Sequence, residues 1–184
     1  MEEPAERLTG LYDRYHRRVL AYVLLRAEPA VAEDIAGETF AIAWQRIGRI
    51  PEAELPWLLG VARNLLMRHY DADRRRRMLS ERVAAMSDER DRVGWDVADL
   101  VVEREEAMAA LAALPEHYAE ALTLVAWHGL TPAEAGRVVG TGAATFSVRL
   151  FRARRALASR LRGGASSTTE KDRKEDPWHA ESTR

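Results

Sequence analysis

Apolar residues recur at intervals of three and four along the first 77 residues, which is the spacing of one face of an α-helix. The first stripe consists of Leu8, Leu11, Tyr12, Tyr15, Val19, Tyr22 and Val23. The second starts near Val31, ends at Gly48 and Pro51, and consists of Ile35, Phe40, Ala43 and Ile47. The third runs from about Leu55 to Arg77 and places inward Leu58, Val61, Ala62 and Leu65. Three amphipathic helices suffice for a small bundle.

The periodicity weakens from Met78 to about Val101 and then returns. Helices are predicted at about 102–114 and from Pro115 to about His128. The run Thr131-Pro132-Ala133-Glu134 offers an N-cap threonine, proline at the first helical position and a glutamate placed to close a capping box. That helix should end at Gly140-Thr141-Gly142, before a long helix over about 143–162.

No segment has the alternating pattern of a strand, so the fold class expected is all-α with two small helical domains. The first domain, 5–79, should be a bundle of three to four helices. A flexible linker is predicted over 80–101, and a four-helix domain containing a helix-turn-helix over 102–162. The polar segment 163–184 is predicted to be a disordered tail.

The charge distribution says more than the net charge of −1 over 184 residues. Acids dominate the start of the chain, the 88–105 region and much of the tail, whereas arginines cluster at 63–82 and 137–162. The absence of cysteine excludes disulfides and suits a reducing compartment. The acidic start does not resemble a signal peptide, and the longest apolar run, Trp57–Ala62, is too short to cross a bilayer. We therefore expect a cytoplasmic protein that does not insert into membranes.

A short capped helix, a glycine-containing turn and a longer basic helix form the sequence outline of a helix-turn-helix. In that motif the second helix enters the DNA major groove, with its N-terminal residues at the base edges. Small residues there include Thr145 and Ser147, and Arg149, Arg152 and Arg154 follow, suited to phosphates or to guanine. The alternative is a basic face exposed only to solvent. Three residues of this helix are predicted to belong to the core: Leu150, Leu157 and Phe146.

Catalysis has no candidate site in the sequence. The five histidines are scattered without metal-ligand spacing, no phosphate-binding glycine loop occurs, and no nucleophile has a paired base. His117 and His128 are interpreted as solvated or close to a helix cap. We expect no enzyme activity, no cofactor and no metal site.

Two long segments resemble parts of one family. AEDIAGETFAIAWQRI and PWLLGVARNLLMRHYDADRRRR resemble region 2 of the extracytoplasmic-function (ECF) sigma factors, the small initiation subunits of bacterial RNA polymerase. ALAALPEHYAEALTLVAWHGLTPAEAGRVVGTGAATFSVRLFRARRAL resembles their region 4. The resemblance covers roughly 7–162 in the family's order. It implies binding to core polymerase, recognition of the −35 and −10 promoter elements, promoter melting, and inhibition by an anti-sigma factor.

The resemblance also implies roles for individual residues. A polar stripe on the second helix would dock on the clamp helices of the largest polymerase subunit, with the flap as a further contact, and comprises Asp34, Glu38 and Gln45. The amide of Asn64 would capture a flipped −10 base. Phosphates of the −10 strand would be contacted by Arg63, Arg68, Arg74 and Arg75. The alternatives are an ordinary solvated face and a basic helix end that complements the helix dipole.

The sequence departs from the family pattern at several positions. Thr141-Gly142 precedes the recognition helix where the family often has Ile-Ser, and Ser147 stands where a lysine is common. The loop before the third helix reads RIPEAELPW, so its base-pocket residues cannot be carried over. Trp57 could stack on a base, but its helical spacing with Leu58 and Val61 favours the core. The competing function is a conventional helix-turn-helix regulator whose first half senses a ligand or dimerises.

Overall fold

A computed structural model describes residues 3–81 and 108–172, with side chains described over 3–75 and 108–162. The predicted all-α fold is confirmed, since these residues contain helices and no strand. The helices of the first half are α1 (Pro4–Leu24), α2 (Pro29–Gln45), a 3-10 turn (Ile47–Arg49) and α3 (Glu54–Glu81). Those of the second half are a helical stretch over 108–112, α4 (Glu116–Ala126), α5 (Pro132–Val139) and α6 (Ala143–Asp172).

The first half is a bundle in which α1, α2 and α3 each pack against the other two. Its core contains the fully buried side chains of Val19, Tyr22, Leu58 and Leu66. The predicted stripe of α1 is correct except at Tyr12, which is 45% exposed and lies over the edge of the Phe40 ring. Proline opens both α1 and α2, where its missing N–H costs the helix nothing.

The second half is organised around the turn between α5 and α6. The Thr131 hydroxyl accepts from the Glu134 backbone N–H at 3.3 Å, and the Thr131 backbone N–H donates to Glu134 Oε2 at 2.8 Å, so the predicted capping box is present. Gly140 ends α5 in the left-handed region at φ 74°, a conformation that a side chain would strain. Phe146 and Leu150 are buried, as predicted, and anchor α6 on α4 and α5.

Gly136 sets the spacing of the helix-turn-helix. A Cβ at this position would lie 2.8 Å from the Thr141 carbonyl oxygen, closer than side-chain carbons approach such atoms. The Thr141 backbone N–H also donates to the Gly136 carbonyl at 2.8 Å. The turn therefore folds directly onto α5 at the one residue that leaves room for it.

Several helix boundaries differ from the predicted ones. The helix α2 ends at Gln45, and a 3-10 turn that contains Gly48 follows it, before the extended residue Ile50. The helix α3 continues to Glu81, and α6 continues to Asp172, past the predicted end at 162. Most of the predicted linker, the start of the second domain (102–107) and the tail after 172 lie outside the described residues.

The two halves are in contact through α3, which packs against α5, and through polar bonds from α1 to α4. Within the described ranges, no helix combines the length and apolar composition needed to span a membrane.

Candidate nucleic-acid interface

The recognition helix α6 presents most of its predicted contact residues to solvent. Thr145, Ser147, Arg152 and Arg154 are exposed, and Arg149 is half-buried. The buried side of the same helix is formed by Phe146, Leu150 and Ala153. The helix is therefore anchored along one side and open along the other, as groove insertion requires.

The five predicted contact residues do not share one face of α6. At 3.6 residues per turn, Thr145, Arg149 and Arg152 fall on one flank of the exposed surface. Ser147 and Arg154 fall on the opposite flank, at a spacing of two turns. This division follows from helical geometry and was not predicted from the sequence.

Two apolar side chains lie between the flanks and were not predicted to face outward. Val148 is 51% exposed and Phe151 is 61% exposed. Apolar groups in this position suit contact with thymine methyl groups in the major groove. The sequence feature that indicates their exposure is their i, i+3 spacing on the side of the helix opposite to Leu150.

The Ser147 hydroxyl uses its one donor in a hydrogen bond within its own helix. Its hydroxyl donates to the Ala143 carbonyl at 2.8 Å, so only its acceptor lone pairs remain for a base or a phosphate-bound water. Thr145 has no such bond among those of the described residues. Of the two small residues, Thr145 is therefore the one whose donor is available for direct readout.

In the first half, Asn64 opens onto a cleft of about 370 Å³. Its walls come from the loop before α3, from α3 itself and from α5, and are formed by Arg46, Pro51, Ala53, Pro56, Trp57, Gly60, Val61 and Arg137. Trp57 is half-buried, so it packs on the core, as predicted, while one side of it lines the cleft. An amide beside an indole surface offers both hydrogen bonding and stacking to a base.

Arg63, the neighbour of Asn64, forms an ion pair with Glu120 of the second half. Its Nε donates to Glu120 Oε1 at 3.0 Å, and the Tyr22 hydroxyl donates to the same oxygen at 2.6 Å. The Glu120 side chain is only 7% exposed and that of Arg63 24% exposed. Burial, and next the negative charge of Glu120, raise the pKa of Tyr22 far above its usual value, which keeps the hydroxyl a donor.

Further polar bonds surround this ion pair. The Arg26 guanidinium lies over the Tyr22 ring at 4.4 Å, and its Nη2 donates to Thr123 Oγ1 at 3.4 Å. Arg18 donates to the backbone carbonyl of His128. Together with Glu120, these residues form what we call the interdomain cluster: Arg18, Tyr22, Arg26, Arg63, Glu120, Thr123 and His128.

His128 is buried, in contrast to the solvated position predicted for it, although it does follow the C-cap residue of α4. Its ring lies edge-on to Tyr22 at 5.9 Å, and neither ring nitrogen has a hydrogen-bond partner among the described residues. Burial, followed by the positive charges of Arg18 and Arg26, lowers the pKa of His128 to about 4. The ring is therefore neutral at physiological pH.

The remaining predicted −10 residues lie elsewhere on α3. Arg68 lines a second cavity of about 320 Å³ with His69 and with Asp34 and Glu38 of α2. Arg74 and Arg75 are exposed farther along the helix. The structure thus brings Arg63 and Asn64 to the second half, while Arg68 is placed beside the predicted polymerase contacts.

The predicted polymerase contacts are exposed on α2. Asp34, Glu38 and Gln45 all face solvent, and Trp44, next to Gln45, is 47% exposed. An exposed indole beside a polar stripe is typical of a protein interface. Among the described residues, no group of three or more histidine, aspartate or glutamate side chains could hold a metal ion.

Most contacts of the interdomain cluster were not predicted from the sequence. The signal for Glu120 was present, since a glutamate four residues before the buried Leu124 lies on the apolar side of α4. Nothing in the sequence indicates its partners, because Tyr22 lies 98 positions away along the chain.

Comparison with known proteins gives consistent matches for both halves. The family description Sigma-70 region 2 matches residues 11–76, and Sigma-70, region 4 matches residues 104–157. The ECF RNA polymerase sigma factor BldN of Streptomyces coelicolor is 30% identical over 161 residues, which cover 85% of this chain and 61% of that protein. The ECF RNA polymerase sigma factor SigM of Bacillus subtilis is 28% identical over 165 residues, which cover 85% of this chain and 96% of that protein.

A solved structure shares the fold. The sigma factor RpoE of Bartonella quintana, crystallised with the anti-sigma factor NepR, aligns with a TM-score of 0.62 at 21% identity. The alignment covers 84% of this chain and 96% of that one. At this identity the likeness supports the fold alone, and the chain spans only 61% of the length of the Streptomyces relative.

Proposed function

The chain belongs to the sigma-70 family, with the two regions found in its ECF members, and we propose that it directs core RNA polymerase to promoters. The observation that carries the proposal is the pairing of two nucleic-acid surfaces in one chain. A helix-turn-helix with an exposed arginine-bearing helix lies in the second half, and a cleft with an exposed amide lies in the first.

The second half would bind the −35 element as duplex. Arg149, Arg152 and Arg154 would supply phosphate neutralisation or bidentate bonds to guanine, and Thr145 would contact base edges at the start of α6. Val148 and Phe151 would meet the apolar edges of bases between the two flanks. Affinity would come mainly from the arginines, and specificity from the side chains nearest to the groove floor.

The first half would hold the −10 element as a single strand. Asn64 would bond the edge of a base turned into its cleft, with Trp57 alongside, and Arg63, Arg68, Arg74 and Arg75 would contact the backbone. Strand separation costs about 1.4 kcal/mol per base-pair step, which binding to the exposed strand can supply. The chain therefore needs no catalytic group, and polymerase performs the chemistry.

The partners follow from the same surfaces. Asp34, Glu38 and Gln45, with the exposed Trp44, would dock on the clamp helices of the largest polymerase subunit, and the second half on the flap. Since the Bartonella structure contains an anti-sigma factor, we propose that a partner of this kind restrains the present chain as well. We propose that the chain acts in the cytoplasm, where it would meet the polymerase.

The test is transcription in vitro with bacterial core polymerase, pooled genomic promoter fragments and this protein, followed by sequencing of transcript starts. Discrete starts that share two upstream elements are expected, and Asn64→Ala and Arg152→Gln should each reduce them. Arg160→Gln, at an exposed arginine of α6 outside the predicted set, is the matched control and should leave them unchanged. If core polymerase produces no starts while the chain still binds duplex DNA, the conventional regulator becomes the better explanation.

A further inference from the structure

Glu120 is a buried carboxylate whose side-chain partners come from the other half of the chain. Both residues that donate to its Oε1 belong to the first half, Tyr22 from α1 and Arg63 from α3. A buried charge without partners is strongly unfavourable. The position of Glu120 therefore makes sense only while the two halves are packed together.

The pair that Glu120 forms with Arg63 suits a contact that must open. A buried ion pair adds little net stability, because the desolvation of both ions offsets their attraction. When the halves separate, both ions regain water, so the closed and open states can lie close in free energy. Within the closed state, loss of one ion leaves the other uncompensated, and this makes the contact specific.

The second half also contributes one wall of the neighbouring cleft. Arg137 of α5 lines the same space as Asn64 and Trp57, and α5 packs along α3. A DNA strand that contacts Arg63 would have to occupy the position that Glu120 holds, and in the Asn64 cleft it would lie against Arg137. The second half and the strand therefore compete for one surface.

Promoter geometry leads to the same conclusion. Elements named for positions 25 base pairs apart are separated by roughly 85 Å along straight duplex at about 3.4 Å per base pair. In the structure, α3, which carries the first surface, packs against α5, and only a short turn separates α5 from α6, which carries the second. The chain cannot bind both elements at once without separating its halves.

We infer that the free chain is autoinhibited, with the Glu120 carboxylate holding the Arg63 guanidinium in place of a −10 strand phosphate and with α5 forming one wall of the Asn64 cleft. This inference rests on the proposed function for its biological meaning, but the closed state itself can be tested separately. Polymerase and promoter would select the open state by binding both halves at a distance.

The test is energy transfer between two dyes on the full chain, one in each half. The chain has no cysteine, so Ala41→Cys on α2 and Ser159→Cys on α6 give two unique labelling positions, at exposed residues that are not among the predicted contact residues. Glu120→Gln keeps the shape of the side chain and removes its charge. It should shift the ratio of closed to open molecules roughly tenfold toward low transfer, as expected for a charged hydrogen bond.

The matched control is Glu33→Gln, at an exposed glutamate of α2, which should leave the transfer efficiency unchanged. Arg63→Gln should open the chain as Glu120→Gln does, and the double variant should open it no further than either single variant. Helicity measured by circular dichroism has to be equal in all variants, so that opening is not mistaken for unfolding. High transfer retained in a well-folded Glu120→Gln chain would overturn the inference.

Binding to a promoter strand separates this inference from the proposed function. A labelled single strand with the −10 sequence found by transcript mapping should bind the free Glu120→Gln chain about tenfold more tightly than the original chain. Arg63→Gln opens the chain but also lacks a strand contact, so it should not gain this affinity. Opening by Glu120→Gln without any strand binding would refute the strand contact while leaving the closed state intact. Equal strand affinity of the original and Glu120→Gln chains would refute autoinhibition.

Discussion

The two surfaces proposed to read DNA differ in how the free chain holds them. The exposed side of α6 is open, with Arg152 and Arg154 facing solvent, whereas the start of α3 is engaged by the second half through Glu120 and Arg137. A helix that binds intact duplex DNA can stay exposed to solvent in the free chain. A surface for single strands would bind any exposed strand nonspecifically, and the ion pair of Arg63 with Glu120 would reduce that activity until the chain is opened.

The largest effect should come from disrupting the turn of the helix-turn-helix while leaving α3 alone. Gly136→Ala places a methyl group against the Thr141 carbonyl, and we expect it to destabilise the second half by about 1–3 kcal/mol or more. Chemical denaturation followed by circular dichroism measures this. The control is Gly37→Ala in α2, where no atom lies within 4 Å of the new carbon and a gain of about 0.5–1 kcal/mol is expected. Equal behaviour of the two variants would contradict the tight contact.

The next effect would show which flank of α6 faces the groove. Thr145, Arg149 and Arg152 form the flank with more predicted contacts, so Arg152→Gln should cost about 1–3 kcal/mol in binding to duplex −35 DNA and lower the salt slope by about 1. Arg154→Gln, on the other flank, should cost less. Fluorescence anisotropy at several salt concentrations measures both quantities. A larger loss from Arg154→Gln would assign the groove to the Ser147 flank.

Acid should weaken the contact between the halves through His128. Its pKa of about 4 lies below the ordinary value of 6.5, so in the closed chain the ring stays neutral where an open or unfolded chain binds a proton. The contribution of the neutral His128 ring to the stability of the closed state should therefore be fully present above about pH 6.5. It should be lost toward pH 4, by at most about 1.4 kcal/mol per pH unit. Other acid-sensitive groups contribute too, which calls for a variant comparison.

His128→Gln removes this contribution, so the temperature of thermal unfolding should then fall less steeply between pH 7.5 and pH 5. His117→Gln changes an exposed histidine of α4, the helix that precedes His128, and is the matched control. The charged groups that face His128 are Arg18 and Arg26. An unchanged slope for His128→Gln would contradict the assignment.

The smallest effect should come from the cap of α5. Thr131→Ala removes the hydroxyl that accepts from Glu134, at an expected loss of about 1 kcal/mol. The bond from the Thr131 backbone, followed by that from its hydroxyl, lowers the pKa of Glu134, so the stabilisation is present at neutral pH and is lost as acid protonates the carboxylate. Thr9→Ala, at an exposed threonine of α1, should change stability by less than about 0.5 kcal/mol. Similar losses in both would argue against the cap.

Local features could be predicted from the sequence because they depend on neighbours along the chain. The capping box at Thr131, the glycine stop at Gly140 and the buried side of α6 each follow from spacings of a few residues. The contact of Glu120 with Tyr22 and Arg63 could not, since periodicity shows which positions are buried and not what they face. The −10 residues were grouped by family resemblance, and only the coordinates separate Arg68 from Arg63.

A promoter library randomised at the −35 and −10 elements can show which element each half of the chain recognises. The library is transcribed by core polymerase with the original chain and with Asn64→Ala, and the starting templates and transcripts are sequenced. Because Asn64 lies in the cleft of the first half, Asn64→Ala should lose base preference at one −10 position and keep every −35 preference. Loss of −35 preferences, or unchanged −10 preferences at full transcription, would contradict the assignment of one element to each half.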